Sequence, residues 1–278
     1  MTSKHCGPAR AWWLVAGLGL SAVMGLLQGC AAPAGGNPAS KPTAELQTES
    51  DTPEPDRRAR VRMELAAAYF GRGQTNTALD EVKMALQAKP DMADAYNLRG
   101  LIYASMGEVS LAEESFHHAL QINPRDADAM HNLGWFLCQQ RRFADAETQF
   151  TAALAVPNYR DLIRTNLALG VCYARNNNLA EAERSLQRAY ELDPANPTTA
   201  LNLSEVLLRR GEFERARFYV RRVNAVDELV NAQTLWLAVR IEKKLGQHSQ
   251  VDILGNQLSN RFPQSPEALL YEKGRFDE

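Results

Sequence analysis

Cysteine is scarce in this chain. Cys6, Cys30, Cys138 and Cys172 are the only four in 278 residues, which excludes a disulfide scaffold for a domain of this length. A charge excess of one sign is also lacking. Lys and Arg number 31 against 33 Asp and Glu, a net charge of -2, so there is no basic footprint for nucleic acid. No HExxH, GxxxxGK[ST], GxSxG or CxxC occurs, which removes the zinc-protease helix, the phosphate loop, the nucleophile elbow and the redox pair. Gly17-Leu18-Gly19 lies in an apolar N-terminal stretch and says nothing about nucleotides. His117 and His118 lack a carboxylate or cysteine ligand pattern beside them, and Glu113-Glu114 fits the exposed face of an amphipathic helix. The expectation is a protein without catalytic residues, metal or cofactor. What remains is 45% hydrophobic and 23% charged, the composition of an ordinary folded domain.

The N-terminus carries an address. Lys4 and Arg10 precede an uncharged run, Ala11 to Leu27, reading AWWLVAGLGLSAVMGLL. A basic start, an apolar core and a small residue before a cleavage point make a secretory signal. The run is near the length of a membrane span, so an uncleaved anchor is the competing reading. Leu27-Gln28-Gly29-Cys30 decides between them: it resembles the bacterial lipobox. That resemblance implies a signal peptide over 1–29 and acylation of Cys30, which becomes the first mature residue. Ala31 is not the Asp that would resemble an inner-membrane retention signal, which points to the outer membrane. Residues 30–58, rich in Pro, Gly, Ala, Ser and Thr, cannot bury a core and read as a flexible tether. The 28 residues after Cys30 would span roughly 30 Å as a coil.

From Ala59 onward one pattern recurs. Pro90 and Pro124 stand 34 residues apart. Tyr96, Gly100, Tyr103, Ala112, Phe116 and Ala119 precede Pro124. Leu133, Gly134, Leu137, Ala146, Phe150 and Ala153 repeat the spacing, as do Leu169, Gly170, Tyr173, Ala182, Leu186 and Ala189 before Pro194. Pro124 to Pro194 is 70 residues, two more than two repeats, so the third unit's exit is enlarged around Val156 to Arg160. A first unit (Leu65, Tyr69, Ala78, Ala85), a fifth (Leu203, Leu207, Ala216) and a worn sixth (Leu237, Ala238, Ile241, Val251, Leu254) complete the series. Gly100, Gly134 and Gly170 are expected to let the first helix of a unit approach Ala112, Ala146 and Ala182 of the second. Gly73, Gly107, Gly211 and Asn177 fall in the turns between helices, where a left-handed backbone is needed. Pro90, Pro124 and Pro194 end the second helices.

Period and residue types resemble the tetratricopeptide repeat. The resemblance implies an all-α fold: a right-handed α-solenoid of about six repeats over 59–262. Residues 263–278 follow as a C-terminal capping helix that starts at Ser265 with Pro266 in its first turn. Such solenoids bind partners on the concave face lined by first helices. That face is expected to present Met63, Ala67 and Phe70, then Asn97, Leu101 and Ala104, then His131, Asn132, Trp135 and Cys138. Leu167, Val171, Asn202 and Glu205 follow. The partner-binding groove proper is assigned to Met63, Ala67, Phe70, Asn97, Leu101, His131, Asn132 and Trp135. The lining is mostly apolar with a few amides, suited to a bound peptide. It lacks the Lys and Arg set that would clamp a terminal carboxylate. Trp135 is either a binding hot spot or packing between repeats. Cys138 and Cys172 stand at repeat offsets 12 and 10, so they are expected to point differently and to be two small buried residues, although an oxidising compartment permits a disulfide.

The third unit reads NLGWFLCQQRRFADAE and is followed by Pro157-Asn158-Tyr159-Arg160. With the lipobox and the tether, this resembles the PilF/PilW family of type IV pilus biogenesis lipoproteins, the pilotins. Asn132, Leu133, Gly134, Phe136, Leu137, Arg141, Arg142, Phe143 and Ala146 carry the match. The resemblance implies a monomeric outer-membrane lipoprotein facing the periplasm, whose partner is the pilus secretin and which promotes that secretin's localisation and multimerisation. Periodicity alone implies a protein-binding solenoid, and the alternative partner is a cell-wall or outer-membrane assembly factor.

Overall fold

The computed structural model describes residues 54–277. The signal segment, Cys30 and the tether up to residue 53 lie outside the described residues. Among those described there is no strand, and thirteen α-helices follow one another. Six antiparallel pairs form the units: α1 (Glu54–Gly71) with α2 (Thr75–Ala88), α3 (Ala93–Met106) with α4 (Val109–Ile122), α5 (Ala127–Gln139) with α6 (Phe143–Ala155), α7 (Leu162–Arg175) with α8 (Leu179–Leu192), α9 (Pro197–Arg209) with α10 (Phe213–Asn224), and α11 (Ala232–Lys244) with α12 (His248–Arg261). Helix α13 (Pro266–Glu272) comes last. Residues 54–58, assigned above to the tether, belong to α1, whose first turn carries Glu54 and Asp56. Acidic side chains there favour the positive end of the helix dipole, which extends the helix back from Ala59.

Counting from Ala59, Ala93, Ala127, Ile163, Pro197 and Ala232, offset 15 is left-handed in every unit. It is Gly73, Gly107, Arg141, Asn177, Gly211 and Gly246, with φ between 59° and 80°. Arg141 is the position that residue type did not announce. A side chain there costs on the order of 1 kcal/mol, held by the two helices it joins.

Offset 8 sets the distance between the helices of a unit. A Cβ on Gly100 would stand 2.7 Å from the Phe116 ring, one on Gly134 3.0 Å from the Phe150 ring, and one on Gly170 2.6 Å from Leu186 Cγ. The expected partners Ala112, Ala146 and Ala182 are fully buried, but the side chain over each glycine comes from four residues later. Helical side chains lean toward the N-terminus, so the next turn's large residue covers the spot. Phe116, Phe150 and Leu186 are themselves fully buried, each worth about 1.5–3 kcal/mol of apolar burial. At the C-terminal end the Ser265 hydroxyl accepts from the Ala268 backbone N–H at 3.1 Å, which starts α13. Trp236 of α11 stacks on Phe276, ring centroids 5.7 Å apart, so the chain's end covers the last repeat.

Units three and four are tied together most strongly. Cys138 and Cys172 are joined as a disulfide with Cα atoms 5.8 Å apart, not two separate thiols as expected. Their offsets do differ by two. On a helix that is about 200° of rotation, so Cys138 points forward from α5 and Cys172 back from α7, and opposite faces of successive first helices are the ones that meet. The same offset difference, 5 against 3, brings His131 Nδ1 to 2.9 Å from Thr165 Oγ1. The Tyr159 hydroxyl, in the enlarged junction, reaches the same Thr165 oxygen at 2.8 Å. His131 is buried and packs edge-on against Phe150, centroids 5.6 Å apart. Burial pushes its imidazole down to about 4, with the Arg164 guanidinium adding to the push and Asp161 opposing it.

Three expectations follow from this packing. Gly170→Ala places a methyl against Leu186 and the Ala182 carbonyl and should cost about 1–3 kcal/mol in urea unfolding despite better helix propensity; Gly71→Ala, with nothing within 4 Å, should cost nothing. Replacing Cys138 and Cys172 together by serine opens a 34-residue loop and should lower stability by about 3–4 kcal/mol on the chain-entropy account, read by denaturation with and without reductant. His131 is neutral when folded, with a pKa below its unfolded value, so it supports the fold fully above pH 6.5. That support drains away as pH falls toward 4, by about 2–3 kcal/mol. Unfolding of wild type and His131→Gln at pH 7 and pH 4.5 measures it, and equal pH slopes would contradict the assignment.

Candidate functional site

Successive first helices (α1, α3, α5, α7, α9, α11) touch along the series, while successive second helices make fewer close approaches. First helices therefore line the inside of the curve. Offsets 2, 5, 6 and 9 lie toward that side, with His131 at offset 5 of unit three the exception.

At the N-terminal end, Met63 and Phe70 are half-buried and pack on the core of units one and two. Ala67 is exposed beside them. Leu101 and Trp135 are half-buried against one shared cluster that includes Phe116, Phe136 and Phe150. Asn132 Nδ2 donates to Asn97 Oδ1 at 3.1 Å, so these amides first bond each other across units two and three. Asn202 likewise donates to the Thr198 carbonyl at 2.8 Å. His131, assigned to the groove from its offset, is inside the α5–α6–α7 packing instead. Thr165 of α7 hydrogen-bonds the ring and holds it inward, and Tyr159 from the enlarged junction hydrogen-bonds that same Thr165 oxygen. Cys138 is buried in the disulfide. Met63, Phe70, Asn97, Leu101, Asn132 and Trp135 thus remain as partly exposed groove positions with Ala67.

At the other end, units five and six form a cleft of about 420 Å³. Thr198, Leu201, Asn202 and Glu205 come from α9, and Gln233, Trp236, Leu237 and Arg240 from α11. These are offsets 2, 5, 6 and 9 of both units. Glu267 of α13 adds the remaining wall. One Arg240 terminal nitrogen donates to both Glu205 oxygens, at 3.2 and 3.4 Å. Arg240 Nε is buried without an acceptor. Sequence reasoning found Asn202 and Glu205 here but not Trp236 or Arg240. Carrying the inward offsets into the worn sixth unit would have found both.

Other charges serve packing. Glu242 is buried and takes Arg221 at 2.7 Å and Arg217 at 3.6 Å, which joins α10 to α11. Among the described residues no group of three or more His, Cys, Asp or Glu is placed to hold a metal ion, and no helix is long and apolar enough to cross a membrane. Apolar side chains, amides and one ion pair along a concave face are the chemistry of peptide recognition.

Known proteins share this architecture. Tetratricopeptide-repeat profiles match residues 93–126, 116–148, 137–197 and 173–235. The chain is 27% identical over 205 residues to the type IV pilus assembly protein PilF of Pseudomonas aeruginosa, covering 74% of this chain and 81% of that protein. The solved structure of Pseudomonas aeruginosa PilF superposes with a TM-score of 0.68 at 25% identity, over 79% of this chain and 99% of that one. The crystal structure of PilW, described as a widely conserved type IV pilus biogenesis factor, superposes with a TM-score of 0.71 at 30% identity, over 76% of this chain and 96% of that one. Similarity at that level across nearly the whole of PilW, on top of the repeat matches, means that this chain belongs to the PilF/PilW family of tetratricopeptide-repeat proteins of type IV pilus biogenesis.

Proposed function

We propose that this protein is a pilotin: an outer-membrane lipoprotein, facing the periplasm, that binds the type IV pilus secretin and promotes its localisation and multimerisation. The observation that carries the reading is the likeness to PilF and PilW over the solenoid. Leu27-Gln28-Gly29-Cys30 supports the lipid anchor. The Cys138–Cys172 bond supports an oxidising compartment, where disulfides persist.

Acyl chains on Cys30 dock the chain to the membrane, and firm docking takes more than one chain. The tether gives reach. The inner face of units one to three holds a segment of a secretin subunit, with Trp135 and Leu101 supplying apolar contact. Holding several subunits beside one membrane raises their effective concentration and favours assembly.

The decisive experiment follows the secretin in a strain lacking this protein, with inner and outer membranes separated and the heat-resistant multimer distinguished from monomer. The expected result is loss of the multimer or retention of the secretin inside, unrestored by a Cys30→Ala copy. A normal multimer in its normal place would sink the reading. Trp135→Ala should weaken binding to the purified secretin by about tenfold and keep the helical circular-dichroism signal. Unchanged affinity would remove Trp135 from the contact.

A further inference from the structure

The two ends of the stack are finished differently. Helix α13 and Phe276 cover the last repeat, whereas among the described residues no helix precedes α1. Offsets 3, 7 and 10 of the first helix show what that leaves open. In units two to six these offsets are buried, Arg99 alone being half-buried. What lies on them is mainly the second helix of the preceding unit. At one such joint Phe116 of α4 meets Phe136, at offset 10 of α5, with ring centroids 5.7 Å apart. In unit one the same offsets are Val61, Leu65 and Ala68. Val61 is 49% exposed and Leu65 39%, and Ala68 is exposed with them. The three form one apolar stripe along α1.

Arginines bracket the stripe. Arg58 before it and Arg72 after it are exposed and have no ion-pair partner among the described residues. The other charges of α1 on this side are largely spent: Arg57 holds Glu54, and Glu64 is the one free carboxylate at the stripe's edge.

These features choose among occupants. A second copy of the chain is a poor one. Two such faces would meet about a two-fold axis, either antiparallel about Leu65, which sets Arg58 opposite Arg72, or parallel, which sets each arginine opposite itself. Like charges meet in both. Residues 43–52, just ahead of α1, carry only Ala44 and Leu46 as apolar side chains, two apart and so on no common helix face. An anionic lipid surface would answer the arginines but not the shape, since at the other five joints these offsets take a helix.

We propose that the open face of α1 docks an amphipathic helix of a partner protein, in the position that a second helix takes at every other joint. Apolar residues of that helix cover Val61, Leu65 and Ala68, and acidic residues at its two ends pair with Arg58 and Arg72. The surface is the end of the solenoid, apart from the inner face, and the proposal does not depend on the secretin being the partner.

The test uses the mature full-length chain carrying Cys30→Ser, so that it is soluble without acylation. The probes are two fluorescein-labelled Ala/Gln-based helical peptides with leucines at i, i+3 and i+7. Each has a charged residue one turn beyond the leucines at both ends, Glu in one peptide and Lys in the other. Fluorescence anisotropy should show the Glu peptide binding about tenfold tighter. Arg58→Glu with Arg72→Glu should reverse that order, a gain of affinity for the Lys peptide that a damaged fold could not produce. Leu65→Ser should weaken both peptides while the circular-dichroism signal stays helical, and Trp135→Ala, on the inner face, should change neither. Equal affinities, an unreversed order, or no measurable binding of the Glu peptide each overturn the proposal. A dimer of the peptide-free chain that Leu65→Ser dissolves would give the face to a second copy. Binding to phosphatidylglycerol vesicles that Leu65→Ser abolishes would give it to a lipid surface, and either result overturns the proposal as well. No secretin enters this assay, so the deletion-strain result and this one fail separately.

Discussion

The structure depends on how closely two helices approach inside one repeat. Offset 8 of the first helix is where they meet. It is Ala66, Gly100, Gly134, Gly170, Ser204 and Val239 in turn, and every one is buried. In units two to four only glycine leaves room for the Phe116 ring, the Phe150 ring or Leu186 to lie across the first helix. In unit five Ser204 fits because its hydroxyl donates to the Ala216 carbonyl at 2.9 Å, so the hydroxyl is bonded rather than stranded. In unit six Val239 fills the spot, and the pair α11/α12 makes fewer close approaches than the earlier pairs. The tight pairs turn one apolar face outward that no single unit can cover, and stacking is the outcome.

Surface ion pairs contribute little to this stack. Arg164 with Asp128 and Arg261 with Asp227 are largely exposed, and such pairs are worth about 0–1 kcal/mol. The charge that matters for packing is Glu242. Its burial between units five and six is tolerable because Arg217 and Arg221 stand over it, and removing both cations would leave an uncompensated carboxylate in the joint.

Much of this was legible in the sequence, because the repeat's physical demands fall on residue types that advertise themselves. Turn glycines, close-packing glycines and terminating prolines fixed the period and the unit boundaries. Arg141 escaped because an arginine carries no turn signal; only its offset gives it away. The Cys138–Cys172 bond and the His131–Thr165 contact escaped for one shared reason. In the packed joint the side chains that meet stand two offsets apart, since a 200° rotation turns one forward and the other back, whereas along the inner face long side chains such as Glu205 and Arg240 meet at equal offsets. That geometry also explains the misplacement of His131. Its offset faces the groove in other units, but Thr165 of α7, itself bonded to Tyr159 from the enlarged exit of unit three, draws it inward. Trp236 and Arg240 were missed because the sixth unit's pattern is worn at its packing positions, although its inward positions still keep step with unit five.

The crosslinked joint divides the concave face into two stretches. Units one to three lie before it and the α9/α11 cleft after it, and the joint is held by one covalent bond and the chain His131–Thr165–Tyr159. A solenoid bends by small changes at each interface between units. Stiffening the middle interface therefore limits how far the two stretches can drift in separation. On the proposed function this has a consequence for affinity. A partner that engages both stretches gains from effective concentration only while their spacing matches the linker between its two segments. The joint that looks like a stabilising device is thus also what would give a two-point contact its geometry. The extra residues at the exit of unit three, which break the 34-residue period, are what place Tyr159 to complete it.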